Sequence, residues 1–301
     1  LGYCLRDLTM RLALLGAAFS VGGAHPGCRH GPQAFYEQEF RGLHRRLPLG
    51  MRWAGVVRES GSGLQRYPQG ASVVLDSVQR LKHRVQQLRR GGVLPVIIGG
   101  DHTCAIGTWS GVVASRQQPL GLLWIDAHLD SHTPESSASK RLHGMPLAVL
   151  LGEGDSRLTH LAGFSPVIDP RFCAVLGVRS FEAGEPLRLK RLGVRFYTRD
   201  EIRTRGLAAV LNEAWRQVSA APGGFGVSLD LDVLDPMLAP GVSVPERYGL
   251  QPRKLAQLLR QQPRKHRLRA LEIVELNPRK DPQGQTRRLL PQLLLALLES
   301  R

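Results

Sequence analysis

Apolar runs and amphipathic stretches alternate along almost the whole chain. The run Leu12–Ala18 predicts a buried strand, and further short apolar runs at 93–98, 120–125, 174–178, 194–197, 225–231 and 270–274 predict others. Between them, Val74, Val78, Leu81, Val85 and Leu88 recur at helical spacing and mark one face of a helix. Arg80, Lys82, Arg84, Arg89 and Arg90 lie mostly off that stripe, and Gly91-Gly92 ends it. Helices are also predicted at 104–115, 205–219, 252–262 and 286–299, the last with Pro291 in its first turn. Continuous apolar strands separated by helices predict an α/β fold with a mostly parallel central sheet covered on both faces. No repeat, low-complexity tract or linker divides the sequence, so one domain over residues 1–301 is expected.

Ligand sites in such sheets lie outside the carboxyl ends of the strands. Three blocks of metal-binding side chains fall there: His102 in IIGGDHT, Asp126, His128 and Asp130 in LLWIDAHLD, and Asp230 and Asp232 in GVSLDLDVLDP. On an extended backbone Asp126, His128 and Asp130 share one face, with Ala127 and Leu129 on the other. Asp230 and Asp232 repeat the device, with Leu229, Leu231 and Val233 pointing into protein. An aspartate in any one block has the alternative of capping a turn. Three blocks together collect carboxylates that repel each other unless a cation compensates them. Oxygen and imidazole ligands suit a hard or borderline divalent ion, and Mn²⁺ fits better than a thiolate-seeking metal. Two such ions can generate hydroxide from water near neutral pH, so a hydrolase is expected. Asp101 and Asp235 flank the blocks and are placed to hydrogen-bond the ligands.

Composition narrows the class. The 301 residues, 42% of them hydrophobic, suffice for a large α/β core. No apolar run reaches the roughly 18 residues of a spanning helix, so no membrane partner is expected. The stretch from Met10 to Ala18 has a faint signal-peptide character, but it reads better as a first strand followed by a glycine-rich loop. Cys4, Cys28, Cys104 and Cys173 are scattered without a CxxC pair, which fits reduced thiols in cytoplasm. The net charge of +16 raises the question of nucleic acid, yet the arginines are dispersed and only 6% of residues are aromatic, which argues against that partner. A non-enzymatic binding protein with a basic surface is the alternative from another class.

At these blocks the chain resembles the arginase and agmatinase family of ureohydrolases. The resemblance spans nearly all of it: AAFSVGGAHPGCRHGP at 17–32, GGDHTCAIG at 99–107, DAHLDSHTP at 126–134, LHG at 142–144, SLDLDVLDP at 228–236 and LEIVELNP at 271–278. It implies a single three-layer α/β/α domain, two Mn²⁺ ions per subunit and a trimer or hexamer. One ion would take His102, Asp126, Asp130 and Asp230, and the other Asp126, His128, Asp230 and Asp232. A hydroxide between them would attack a guanidinium carbon while Asp130 relays its proton to the leaving amine. Glu275 matches the glutamate that orients the guanidinium, and His143 the proton-shuttling histidine. From the residues alone, Glu275 has the alternative of a strand-end salt bridge and His143 that of a polar loop residue. Glu272 sits an odd number of positions from Glu275 and is expected on the opposite face.

The segment 131–141, SHTPESSASKR, resembles arginase more than agmatinase. That implies contacts to the α-carboxylate and α-amino groups of L-arginine from His132, Ser139 and Arg141, with Glu182 and Glu185 near the amino group. The best-known arginases carry asparagines at the positions of His132 and Arg141, and usually aspartate at that of Glu182. Arg141 could pair with a carboxylate in bidentate fashion, meet another anion, or remain a solvated charge. Agmatine, a guanidino acid and arginine within a peptide are the alternative substrates.

Overall fold

The computed structural model describes residues 11–46, 50–114, 118–263 and 265–299. Eight strands form one parallel sheet: β1 Leu12–Ala18, β2 Met51–Arg58, β3 Leu94–Gly99, β4 Gly121–Ile125, β5 Cys173–Val178, β6 Arg195–Thr198, β7 Phe225–Asp230 and β8 Leu268–Val274. Their spatial order is β2-β1-β3-β8-β7-β4-β5-β6. The first three strands occupy one half and the next three the other, and the last two close the gap between β3 and β4. The chain therefore reverses its direction of winding at the centre of the sheet, where a crevice opens at the strands' carboxyl ends.

Strands β1, β3, β4, β5 and β7 are buried along their whole length, which is why they appear as unbroken apolar runs. One face packs against helices Leu207–Ser219, Pro252–Arg260 and Leu290–Leu298. The other packs against Ala71–Arg90, Cys104–Val113 and Pro146–Leu150. The stripe from Val74 to Leu88 is buried as its periodicity requires. The helix expected at 205–219 is Leu207–Ser219; a separate helix, Arg199–Arg205, precedes it, and Gly206 with φ +83° divides the two. Within the run Met10 to Ala18, residues Leu12–Ala18 are strand β1; Met10 lies outside the described residues.

The strand that composition hides is β2. Its burial alternates irregularly, Arg52 and Arg58 are exposed, and Gly55 interrupts it at φ +95°. It is an edge strand with one neighbour, β1, so it does not need a continuous apolar sequence.

A glycine at 100 is needed where β3 ends. A Cβ there would lie 2.0 Å from the Phe19 carbonyl oxygen. The close approach lets Gly100 N–H donate to Ala17 O and lets Gly100 O accept from Glu275 N–H at 2.8 Å. The ends of β1, β3 and β8 are thereby laced together immediately beside His102.

Candidate metal centre

His102, the Asp126–Asp130 block, Asp230, Asp232 and Glu275 lie at or just past the ends of β3, β4, β7 and β8, the four central strands. Their convergence is a consequence of the strand order. His102 Nδ1 stands 3.2 Å from Asp126 Oδ2, 3.0 Å from Asp130 Oδ2 and 3.1 Å from Asp230 Oδ2. His128 Nδ1 stands 3.0 Å from Asp232 Oδ2 and 3.5 Å from Asp126 Oδ1. Two groups, His102 with Asp126 and Asp230, and Asp126 with His128 and Asp232, are each compact enough to hold a metal ion, and Asp126 belongs to both. All four aspartates are buried. His102 Nδ1 is fully buried and has no geometrically acceptable hydrogen bond, although three carboxylates face it. A buried nitrogen without a hydrogen bond, aimed at a cage of buried carboxylates, fits a cation better than a proton network.

The electrostatics point the same way. Burial pushes Asp130 up to about 6, with the Asp126 charge adding to it, and burial likewise raises Asp230, with Asp232 and Asp126 adding. Burial opposes protonation of His102, but the facing carboxylates of Asp126, Asp130 and Asp230 outweigh it and raise its pKa. These are the signatures of grouped anions that need positive charge.

The local geometry corrects the extended-strand picture. Strand β4 ends at Ile125, and Asp126 to Asp130 lie beyond it. Asp126 Oδ1 accepts from His128 N at 2.7 Å, and Asp230 Oδ1 accepts from Asp232 N at 2.9 Å. Each block is thus folded by its own aspartate into a turn, and the turn-capping and cluster roles coexist in the same carboxylate. Asp130 completes the block with φ +45°, a left-handed conformation uncommon outside glycine. Ala127, Leu129, Leu229, Leu231 and Val233 are buried as expected.

Asp101 and Asp235 do not touch the cluster. Asp101 Oδ1 accepts from the Thr103 amide and hydroxyl, and Asp235 Oδ1 accepts from Met237 N, so both shape turns. Their place is taken by residues the pattern did not single out. Trp124 stacks on the His102 ring at 4.0 Å and donates Nε1–H to Asp126 Oδ2 at 2.9 Å. Ser228 lies 3.0 Å from His102 Nε2 and donates to Glu272 Oε2 at 2.8 Å. Glu272 is fully buried, where Thr108 donates to its other oxygen at 2.6 Å. Glu272 and Glu275 share no hydrogen-bond partner, and strand parity does not relate them, because Glu275 follows β8 with φ +66°.

Glu275 grips the same segment from the other side. Its Oε1 accepts from His102 N at 3.0 Å and lies 3.2 Å from His143 Nδ1, and its Oε2 accepts from Cys28 Sγ at 3.2 Å. Cys28 also contacts Ser243 Oγ at 2.7 Å. Burial, reinforced by the Glu275 charge, pushes the thiol up and keeps it a neutral donor. His143 sits in the short turn Leu142–Gly144, held by its amide to Gly22 O at 3.0 Å.

Further out, His132 Nε2 lies 3.2 Å from Glu185 and 3.4 Å from Glu182. Glu185 is anchored by the amides of Ser131 and Glu182. Ser139 and Arg141 do not join that group. The Ser139 hydroxyl accepts from Arg141 N at 3.3 Å, and Arg141 Nη1 donates to Gly23 O at 2.9 Å, so its guanidinium pins the segment before His143 to the glycine-rich loop.

The Arginase family model matches residues 10–299. An arginase from Bacillus caldovelox is 33% identical over 288 residues, covering 91% of this chain and 93% of its own. The mitochondrial arginase-2 of Rattus norvegicus is 31% identical over 89% of this chain and 77% of its own. The crystal structure of arginase from Bacillus subtilis superposes with a TM-score of 0.89 at 32% identity, covering 97% of this chain and 99% of its own. With its parallel eight-stranded sheet, its clustered imidazoles and carboxylates and these relatives, the chain belongs to the arginase family of hydrolases.

Proposed function

We propose that the protein hydrolyses the guanidinium group of L-arginine to ornithine and urea with two Mn²⁺ ions. The observation that carries this reading is the His102 ring nitrogen facing Asp126, Asp130 and Asp230 at 3.0 to 3.2 Å, in a chain whose relatives are named arginases. His102, Asp126, Asp130 and Asp230 would hold one ion, and Asp126, His128, Asp230 and Asp232 the other. When bound, the pair would supply a water of lowered pKa and positive charge against the transition state. The chain's own residues do the rest. Glu275, held by His102 N, His143 and Cys28, presents a buried carboxylate that accepts N–H bonds from the planar cation. Asp130, whose protonated form burial favours, takes a proton from the attacking water and returns it to the departing nitrogen. The new C–O bond forms first, and the C–N bond breaks once that nitrogen has received its proton. His143, in contact with the Glu275 carboxylate, carries the second proton of that water to solvent.

Glu182, Glu185, His132, Ser139 and Arg141 are the proposed contacts to the amino-acid end of the substrate. A second reading, a ureohydrolase for another guanidino compound, is favoured by one observation: an imidazole already stands between the two glutamates that would receive an α-amino group. Urea release from arginine, agmatine, guanidinobutyrate and guanidinopropionate with Mn²⁺ present separates the two. Arginine as the best substrate supports the first, and arginine among the poorest refutes it in favour of the second. The proposal includes a single domain, a homo-oligomer of trimer or hexamer size and a cytoplasmic home. No described helix is long and apolar enough to cross a membrane, and Cys28, Cys104 and Cys173 are free thiols. Light scattering tests the oligomer.

A further inference from the structure

The two imidazoles of the cluster are backed differently. Behind His102 stands a wholly buried relay, Ser228 and then Glu272. Behind His128 stands a carboxylate on a distant loop. His128 turns Nδ1 toward Asp126 and Asp232, so Nε2 points outward, and the nearest acid there is Glu246 Oε1 at 3.6 Å. Ser180 is a second polar neighbour of that carboxylate.

Glu246 is about one-third exposed, and a glutamate on a free loop would be a solvated charge. This loop is not free. Arg179, which follows β5, donates from Nη2 to Asp232 O at 2.7 Å and to Glu246 O at 3.1 Å. It also donates from Nε to Arg247 O at 3.0 Å and from Nη1 to Val233 O and Gly177 O at 3.2 Å each. The amides of Arg179 and Ser180 bind Ala127 O at 2.9 and 3.0 Å, beside His128 itself. Leu250 N to Val233 O and Asp235 N to Leu250 O close the loop behind Glu246. Arg179 thus fastens the segments carrying Asp232 and Glu246 with its guanidinium and the one carrying His128 with its own amide.

We propose that Glu246 is a positioning residue for His128: its part-exposed carboxylate closes the 3.6 Å gap to accept the Nε2–H, fixes the tautomer and directs Nδ1 into the site shared with Asp126 and Asp232. A carboxylate behind a ligating imidazole orients the ring and raises its basicity as a ligand. The inference rests on the two-metal reading of the site, because it concerns the ligand of the second ion.

The test is Mn²⁺ titration of the metal-free full-length protein by calorimetry, for wild type, Glu246→Gln and Glu246→Ala. Wild type should show two binding events. In Glu246→Ala one event should weaken by about 10- to 100-fold while the other keeps its affinity. In Glu246→Gln, whose amide oxygen can still accept the Nε2–H, the loss should be smaller. Unfolding of the metal-free variants should match wild type, since the loop is held by Arg179 through main-chain oxygens. Two wild-type affinities in both variants overturn the inference and leave the two-metal reading standing. A wild-type protein that binds no Mn²⁺ overturns both. The isosteric glutamine variant keeps the test decisive if the alanine variant does not fold.

Discussion

Ser228→Ala removes one oxygen from the buried path between His102 and Glu272. The hydroxyl is the partner of His102 Nε2 at 3.0 Å and the donor to Glu272 Oε2 at 2.8 Å. Glu272 keeps Thr108 at 2.6 Å and Cys104 at 3.5 Å on its other oxygen, so its loss is partial. His102 Nε2 is left with no partner, in a residue that is 1% exposed. A buried polar group left unsatisfied costs about 1–3 kcal/mol. For a chain somewhat above the size for which 1 kcal/mol corresponds to about 2–4 °C, the metal-free protein should melt roughly 2–8 °C lower. The His102 ring should also lose its fixed orientation, so that the metal it contributes to binds more weakly. Scanning calorimetry of the metal-free protein and Mn²⁺ titration check the two effects separately. Ser228→Thr, which keeps a hydroxyl, should recover part of both. A Ser228→Ala protein with the wild-type melting temperature and wild-type affinities would show that the relay contributes nothing.

Other expectations follow from the same geometry. Asp232→Ala should lower Mn²⁺ content and urea release together, measured by metal analysis and steady-state assay; an unchanged rate removes the two-metal assignment. His143→Ala should cut turnover by about 10²- to 10⁴-fold with metal content kept, as for loss of a proton-transfer group; wild-type turnover in this variant refutes the shuttle. His132 and Glu185 give a pH signature. Burial opposes charge on both, but their mutual hydrogen bond outweighs it, raising His132 above its ordinary 6.5 and lowering Glu185 below 4.5. The histidine's contribution is complete below 6.5 and fades as pH rises through its higher folded value. The glutamate's is complete above 4.5 and fades as pH falls through its lower one. The stability gap between wild type and His132→Ala should therefore be widest between these two values and shrink on the alkaline side; a gap flat from about pH 5 to pH 9 contradicts the pairing.

The fold was legible because seven of eight strands carry an apolar run that stands out, six of them buried along all or nearly all of their length, and their helices carry a clear stripe. The eighth, β2, has an edge position that tolerates Arg52, Gly55 and Arg58, so no periodicity marks it. The cluster residues were legible because they follow strand ends in tight blocks. What surrounds them was not. Cys28, Ser243 and Glu275 meet across more than two hundred residues, and the Trp124 and Ser228 contacts depend on which strands are neighbours. Alternation also misled locally. It assumed extended backbone where Asp126 and Asp230 fold their own turns, and where Asp130 and Glu275 take left-handed conformations. Asp101 and Asp235 show the converse: an acid next to a ligand in sequence can direct its hydrogen bonds to its own turn instead.

Arginine hydrolysis by a pair of Mn²⁺ ions in the His102–His128 cluster is the proposed activity. The most direct measurement is urea release from arginine by metal-stripped protein as Mn²⁺ is added back in counted equivalents. Activity should be absent without metal and rise until about two equivalents per chain are bound, with Asp126→Asn inactive throughout. Urea release by the stripped protein, or none from arginine with two equivalents bound, would contradict the claim.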